Sequence, residues 1–224
     1  MDLLFATTNP GKLRELRRLV ADLPVRVVSP EGLGRPPPDV EEDGTTFLAN
    51  AEKKASAWAR WSGLHALADD SGLCVDALGG APGVLSARWS GVDPALVSSR
   101  DERNNEKLLR SLCGLEDARR GAEYRAALSL ARPDGSIVAS VTGVCRGRIG
   151  REARGAGGFG YDPLFIPIPQ PPESPSPDRP VQESARARTM AELADAQKDA
   201  LSHRGDAFRR LLPVLADLAN ARNP

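Results

Sequence analysis

The chain has 224 residues, which is enough for one large α/β domain or two intimate lobes with a sizeable core. Its 30 Lys and Arg residues balance 30 Asp and Glu residues, so no overall field attracts it to nucleic acid or to an anionic membrane. The sequence shows no signal peptide, and no apolar run is long enough to cross a bilayer. We therefore expect a soluble cytoplasmic protein with no nucleic-acid or membrane partner.

The three cysteines are Cys74, Cys113 and Cys145, an odd number at wide spacing in apolar surroundings. This pattern predicts reduced, buried thiols rather than a disulfide framework. With only two histidines and no Cys-x-x-Cys pair, the sequence also argues against a structural zinc site.

The first part of the chain is typical of an α/β fold. Residues 3–6 form an apolar run that predicts a buried strand, and residues 7–11 predict a loop. The apolar spacing that follows predicts a helix ended by Pro24, and residues 25–28 predict a second strand. Strand, loop, helix and strand in this order indicate an α/β architecture.

Two adjacent carboxylates follow the next predicted strand. Residues 47–62 predict a helix closed by Gly63, and residues 64–67 predict a buried strand. Asp69 and Asp70 come directly after it, and Ser71 with Gly72 favours a turn there. Neighbouring side chains of an extended segment point to opposite faces, so we expect the two acids to have different roles. A solvated turn explains these residues equally well.

The rest of the chain alternates glycine-rich loops with regular elements. We predict a shaped loop over residues 75–91, a helix over 101–112 and a hairpin of strands 124–131 and 137–146. A second glycine cluster follows at 155–163, and a Pro-rich surface insertion at about 167–188. Helical periodicity returns over residues 190–201 and 208–218.

Two polar segments early in the chain are candidates for binding phosphate or metal. Thr7, Thr8, Asn9, Pro10, Gly11 and Lys12 join a strand to a helix, where backbone N–H groups and an ammonium can cradle phosphate. An ordinary helix N-cap explains this loop equally well. The acids Glu41, Glu42 and Asp43 precede a helix that carries Lys53 and Lys54, and simple complementarity to the helix dipole is the simpler interpretation.

A third candidate combines aromatic and cationic residues. Phe159, Gly160, Tyr161 and Asp162 offer a stacking surface for a base, and the Ser202-His203-Arg204 segment offers donors for a carbonyl. A core aromatic and a helix-cap histidine are the alternatives.

These motifs together resemble the Ham1/RdgB family of inosine/xanthosine triphosphate pyrophosphatases. The segments are Thr-Thr-Asn-Pro-Gly-Lys-Leu-Arg-Glu-Leu, Asp-Asp-Ser-Gly-Leu-Cys-Val-Asp-Ala-Leu-Gly-Gly-Ala-Pro-Gly, Ala-Arg-Trp-Ser-Gly, Gly-Gly-Phe-Gly-Tyr-Asp-Pro-Leu-Phe and Ser-His-Arg-Gly. They occur in order from Leu3 to the last helix, and only the Pro-rich segment falls outside.

The resemblance implies a single α/β domain over residues 1–224, with a mixed twisted β-sheet and flanking helices bent into two lobes around a substrate cleft. It also implies a homodimer and Mg²⁺-dependent hydrolysis of purine nucleoside triphosphates such as ITP, dITP and XTP. The products would be the monophosphate and pyrophosphate, which clears deaminated purines from the nucleotide pool.

The resemblance further implies a role for each matching residue. Asp70 matches the general base and a metal ligand, and Glu41 the second metal ligand, with Glu42 as its alternative. The implied substrate contacts are the triphosphate loop Thr7, Thr8, Asn9, Pro10, Gly11 and Lys12, then Lys54, Ser71, the base-binding segment Phe159, Gly160, Tyr161 and Asp162, Lys198, and the purine readers His203 and Arg204.

Two departures from the family pattern stand out. Thr8 occupies a position where the family often has glycine, which narrows the phosphate loop, and the Pro-rich insertion precedes the helix that carries Lys198. The alternative functions are a Maf-like nucleotide pyrophosphatase of different base specificity and a nucleotide-binding module without catalysis. A Ser-His-Asp hydrolase built on Ser71 lacks the surrounding nucleophile-elbow pattern.

Overall fold

The structure is a computed structural model that describes residues 1–91, 97–168 and 187–220. Most of the predicted Pro-rich insertion therefore lies outside the described residues. The strands are β1 (Asp2–Phe5), β2 (Arg26–Val28), β3 (His65–Val75), β4 (Gly121–Ala131), β5 (Ile137–Ile149) and β6 (Phe165–Pro167). The α-helices are α1 (Pro10–Leu19), α2 (Phe47–Ser62), α3 (Val97–Ser111), α4 (Asp195–Leu201) and α5 (His203–Asn220).

The six strands form one mixed sheet in the order β2-β1-β3-β4-β5-β6. β1 pairs in parallel with β2 and β3, with Leu4 opposite Val28 on one side and Ala66 on the other. β6 pairs antiparallel to β5, with Ile166 opposite Arg148. Parallel neighbours require crossover connections, and helices α1 and α2 lie in those connections. The predicted α/β fold with a mixed sheet and flanking helices is confirmed.

The chain divides into two compact units, each with its own core. Unit 1 contains residues 1–72, 125–144 and 202–224, and unit 2 contains residues 73–124 and 145–201. In unit 1, α5 buries Phe208, Leu211 and Leu215, whose spacing places them on one helical face. In unit 2, Leu108 of α3 and Phe165 of β6 belong to a second buried cluster.

The predicted turn at Asp69 and Asp70 is wrong. β3 continues through both carboxylates, Ser71 and Gly72 to Val75. The residue types favour a turn locally, but the segment is paired in the sheet and almost all of it is buried. Charged residues remain in a buried strand only where their charge is compensated, so the reason for this continuation lies in the partners of Asp69 and Asp70.

Other predictions differ from the structure in smaller ways. The helix predicted over residues 190–201 is a 3-10 turn (Met190–Glu192) followed by α4, and α5 begins five residues earlier than predicted, at His203. The three cysteines are reduced thiols, but Cys113 is exposed and Cys74 is partly exposed, so only Cys145 fits the prediction of buried thiols. Among the residues that the structure describes, no helix is long and apolar enough to cross a membrane.

Gly143 permits a close approach of β5 and α5 within unit 1. A Cβ atom at this position would lie 2.2 Å from the carbonyl oxygen of His203 and 2.4 Å from the amide nitrogen of Ala207. Both neighbours are backbone atoms, so a side chain at Gly143 would force the N-terminus of α5 away from the strand.

We expect Gly143→Ala to lower the free energy of unfolding by about 1–3 kcal/mol because of this overpacking. The matched control is Gly32→Ala, since a Cβ at Gly32 meets nothing within 4 Å. Urea denaturation followed by circular dichroism measures both variants. Equal stability of the two variants would contradict the close approach.

Candidate active site

The loop before α1 is held by Asn9, which caps the helix. Asn9 Oδ1 accepts hydrogen bonds from the amide nitrogens of Gly11 and Lys12, at 2.8 and 3.2 Å. Thr7 Oγ1 accepts one from the amide of Asn9 at 3.1 Å, whereas the side chain of Thr8 is exposed. The N-cap interpretation of this loop is therefore confirmed, and the cap lies directly before Lys12 in the first turn of the helix. Phosphate binding by the loop stays a prediction.

Asp69 is a buried anion of unit 1. Its side chain is fully buried, and the Nζ atom of Lys12 lies 2.5 Å from its Oδ2 atom. Arg204 Nη2 lies 3.4 Å from the same oxygen. Burial alone would raise the pKa of Asp69, but the charges of Arg204, Lys12 and Lys54 outweigh it and hold that pKa below its usual range. Asp69 is therefore ionised and serves as a fixed counter-charge.

Arg204 is held by acidic and hydroxyl groups of unit 1. Its Nη1 atom donates to Glu15 Oε2, and its Nη2 atom donates to Ser71 Oγ at 2.9 Å as well as to Asp69. Both terminal nitrogens of the guanidinium thus have protein acceptors. The structure connects Arg204 to the strand that carries the candidate base. Its role as a purine reader stays a prediction. His203 is buried at the start of α5.

Asp70 has different partners from its neighbour. Its Oδ2 atom accepts a hydrogen bond of 3.0 Å from Asn50 Nδ2, and its Oδ1 atom accepts one of 3.1 Å from the amide of Ser71. Burial raises the pKa of Asp70 above its ordinary value, against the opposing charges of Lys54 and Lys12, and the nearby charge of Glu42 raises it further. A carboxylate of raised pKa is suited to accept a proton.

Lys54 connects the acidic segment to β3. Its Nζ atom forms an ion pair with Glu42 and donates to the backbone oxygen of Asp69 at 3.1 Å. Lys53 instead pairs with Asp43 at the surface, at 2.7 Å. The structure therefore separates the two adjacent lysines, and it brings Lys54 to the candidate site.

The oxygen donors around Asp70 fit a small hard cation. Asp70 and Glu42 lie close enough for their charges to interact unfavourably, and a cation would relieve that repulsion. Glu41 is exposed, so the contacts favour Glu42 as the second ligand. Within the described ranges, no three His, Cys, Asp or Glu residues form a metal cluster.

In unit 2, Asp162 organises the predicted base-binding segment. Its Oδ2 atom accepts from Lys198 Nζ at 2.7 Å and from the amide of Phe159 at 3.0 Å, and Tyr124 donates to its Oδ1 atom at 3.2 Å. Lys198 Nζ also lies 5.0 Å from the centroid of the Phe159 ring. A Cβ atom at Gly158, which has φ +77°, would lie 2.0 Å from Asp162 Oδ2, so this turn requires glycine.

The remaining residues of that segment have structural contacts. Tyr161 is buried, and its hydroxyl donates to the backbone oxygen of Ser86 at 2.9 Å. The amide of Gly160 donates to Asp101 Oδ2 at 2.9 Å. Phe159 is only partly buried, so it is the aromatic ring of this segment with surface available for stacking.

Sequence reasoning missed two residues of these networks, Glu15 and Tyr124. Glu15 is a buried acid on α1, and Tyr124 is a buried residue of β4 whose hydroxyl reaches Asp162. A signal exists for Glu15, since it lies in the segment Thr-Thr-Asn-Pro-Gly-Lys-Leu-Arg-Glu-Leu that carries the family resemblance, although no role was assigned to it. Tyr124 occupies a position that alternates between buried and partly buried residues as in an ordinary core strand, so the sequence did not indicate its hydrogen bond to Asp162.

Comparisons with known proteins give a consistent picture. The sequence model of the Ham1 family matches residues 3–214. A relative from Anaeromyxobacter dehalogenans, named dITP/XTP pyrophosphatase, is 63% identical over 98% of this chain and 99% of its own length. A relative of the same name from Streptomyces avermitilis is 44% identical over 96% of this chain and 98% of its own length.

Solved structures agree with this result. A HAM1 protein from Coxiella burnetii has a TM-score of 0.76 and 35% identity, over 97% of this chain and 99% of that protein. A dITP/XTP pyrophosphatase from Mycobacterium abscessus has a TM-score of 0.67 and 41% identity, over 96% of this chain and all of that protein.

Proposed function

Because this chain belongs to the Ham1 family, we propose that it hydrolyses deaminated purine nucleoside triphosphates, namely dITP, XTP and ITP, to the monophosphate and pyrophosphate. The enzyme class predicted from the sequence, a nucleoside triphosphate pyrophosphohydrolase, agrees with the names of its relatives. The structural observation that carries the proposal is Asp70, a carboxylate of raised pKa placed beside Lys54, Glu42 and the lysine-bearing loop of α1.

Charge neutralisation is the main requirement of this reaction, because a triphosphate carries several negative charges. Lys12 and Lys54 are partly accessible, with 16% and 12% of their side-chain surfaces exposed. Both are already fixed by carboxylate partners, so they need little reorganisation to meet phosphate oxygens. In the proposed reaction they offset the charge that develops on the leaving pyrophosphate.

Asp70 is the proposed general base. The attacking water must lose a proton as it bonds to the α-phosphorus, and Asp70 accepts that proton. Asn50 holds one oxygen of the carboxylate and the Ser71 amide holds the other, so the group has a fixed orientation. Asp69 cannot replace it, because Asp69 is fully buried and engaged by cations.

We assign the magnesium ligands to Asp70 and Glu42, with Glu41 as the alternative taken from the sequence. When bound, Mg²⁺ would neutralise phosphate oxygens and help to orient the water. Lys54 links Glu42 to the strand that carries Asp70, which keeps the two carboxylates on adjacent elements.

Selectivity is proposed to depend on the 6-keto group of the base. A buried donor that meets O6 in hypoxanthine or xanthine meets an amino group in adenine and is left unpaired, at a cost of about 1–3 kcal/mol. His203 and Arg204 are the candidate donors, and Glu15, Asp69 and Ser71 hold the guanidinium of Arg204 in place. Phe159 is proposed to stack on the base, and Lys198 remains a proposed substrate contact.

A nucleotide panel tests this proposal directly. We expect pyrophosphate release from dITP, XTP and ITP in the presence of Mg²⁺, with kcat/KM for ATP lower by roughly 5- to 150-fold, the ratio equivalent to one unpaired donor. A coupled pyrophosphate assay measures all substrates together with pyrimidine triphosphates. Equal rates for ATP and ITP would refute the role of O6. A preference for pyrimidines would favour the Maf-like alternative, and binding without release would favour a non-catalytic module.

We expect Asp70→Asn to lower kcat by about 10²–10⁴-fold, the usual contribution of general acid–base catalysis. The amide keeps the size of the side chain and removes its basicity. Isothermal titration with dITP checks that nucleotide binding is at least partly retained. The matched control is Asp43→Asn, which removes a surface carboxylate paired with Lys53 and should leave kcat within twofold. Near-normal turnover of Asp70→Asn would rule out its role.

The pair Glu41→Gln and Glu42→Gln distinguishes the two ligand assignments. Each variant removes one charge from adjacent positions of the same segment. We expect Glu42→Gln to raise the Mg²⁺ concentration for half-maximal activity by about tenfold or more, and Glu41→Gln to raise it less. Titration of activity against Mg²⁺ is the measurement, and the opposite order would assign the ligand to Glu41. The homodimer and the cytoplasmic location remain predictions.

A further inference from the structure

Glu15 is a buried acid whose role the reaction does not explain. It lies on α1, three residues after Lys12, and only 6% of its side-chain surface is exposed. Its Oε2 atom accepts a hydrogen bond from Arg204 Nη1. Arg204 is equally buried, so these two charges interact with little screening by solvent.

One oxygen of Asp69 is shared by three donors. The distances to Asp69 Oδ2 are 2.5 Å from Lys12 Nζ, 3.2 Å from Ser71 Oγ and 3.4 Å from Arg204 Nη2. The Asp69 contact of Arg204 is therefore the longest of the three. Arg204 lies between two carboxylates and pairs with both, Glu15 through Nη1 and Asp69 through Nη2.

We propose that Glu15 is a positioning residue for the hydrolysis, acting through Arg204. By holding Nη1, Glu15 prevents the guanidinium from settling on Asp69, so Asp69 Oδ2 stays available to Lys12. The same contact holds Nη2 on Ser71 Oγ, next to Asp70 in β3. The kinetic effect expected here rests on the proposed function, whereas the arrangement of Glu15, Arg204 and Asp69 does not depend on it.

The physical basis is a competition between charges in a buried region. If Glu15 loses its charge, Asp69 no longer shares Arg204 with a second charged carboxylate, and the buried guanidinium moves toward the carboxylate that remains. Two cations then compete for Asp69 Oδ2, and Lys12 is displaced. The net charge of the site also becomes more positive by one, which favours binding of an anionic substrate.

These two effects act on different kinetic constants, which gives the inference a distinctive signature. Displaced side chains lower kcat, because small errors in the placement of reacting groups are costly. The added positive charge leaves KM unchanged or lowers it. A residue that contributes only to stability would change neither constant in the folded protein.

The first experiment is Glu15→Gln, which keeps the shape of the side chain and removes its charge. We expect kcat for dITP to fall by about ten- to a hundredfold, with KM unchanged or lower. The stability control is Leu215→Ala, a core substitution in the same unit, which should lower the melting temperature but keep kcat within twofold. Both variants are assayed well below their melting temperatures. Unchanged kcat in folded Glu15→Gln would overturn the inference.

A double-mutant cycle tests whether Glu15 acts through Arg204. In an Arg204→Gln background, Glu15→Gln should change kcat by less than twofold, because the guanidinium that it positions is gone. The double variant pairs two neutral amides and leaves no unpaired charge at these two positions. An equally large fall in both backgrounds would overturn the inference.

A third measurement does not depend on activity. Crystal structures of the wild type and Glu15→Gln should show a longer Lys12 Nζ to Asp69 Oδ2 separation in the variant, with Arg204 closer to Asp69. An unchanged separation would overturn the inference. If the wild type hydrolyses no purine triphosphate, the proposed function fails, and this separation still decides whether Glu15 positions the network.

Discussion

The burial of the Asp69 carboxylate on β3 is the constraint on which the rest of unit 1 depends. An ionised carboxylate in a protein interior is stable only when cations and donors compensate it. Three residues compensate Asp69: Lys12 of α1, Arg204 of α5 and Ser71 of the strand itself. Removing one partner of such a buried pair typically costs about 3–5 kcal/mol, so these elements are fixed together by one charge.

This constraint also explains how two adjacent acids acquire different chemistry. Asp69 is held ionised by Arg204 and Lys12, whereas the pKa of Asp70 is raised by burial in a region with fewer compensating charges. One carboxylate fixes the scaffold and its neighbour can exchange a proton. Asn50 adds directionality, because its amide donates to Asp70 while its oxygen accepts from the backbone of Gly44. The acidic segment is thereby linked to the proposed base.

Unit 2 applies the same principle on a smaller scale. Asp162 accepts hydrogen bonds from the Lys198 ammonium, the Tyr124 hydroxyl and the Phe159 backbone amide. Burial, followed by the charge of Asp162, raises the pKa of Tyr124 well above its ordinary value, so its hydroxyl remains a donor. In both units a buried aspartate forms an ion pair with a lysine that the sequence resemblance assigns to substrate binding.

The sequence by itself determined the α/β class, the family and the identity of the polar segments. Helix α2 is an example of a fully local result, since apolar spacing and the left-handed Gly63 define both its body and its end. Tertiary structure alone decided that β3 continues through Asp69 and Asp70, because local residue types favour a turn and only Lys12, Arg204 and Asn50, distant in the chain, make a strand possible. It also showed that Lys54 contacts β3 whereas Lys53 pairs with Asp43, and that Arg204 contacts Glu15 and Asp69. The physical reason is that charge compensation in a protein interior depends on distance in space, which residue spacing along the chain does not encode.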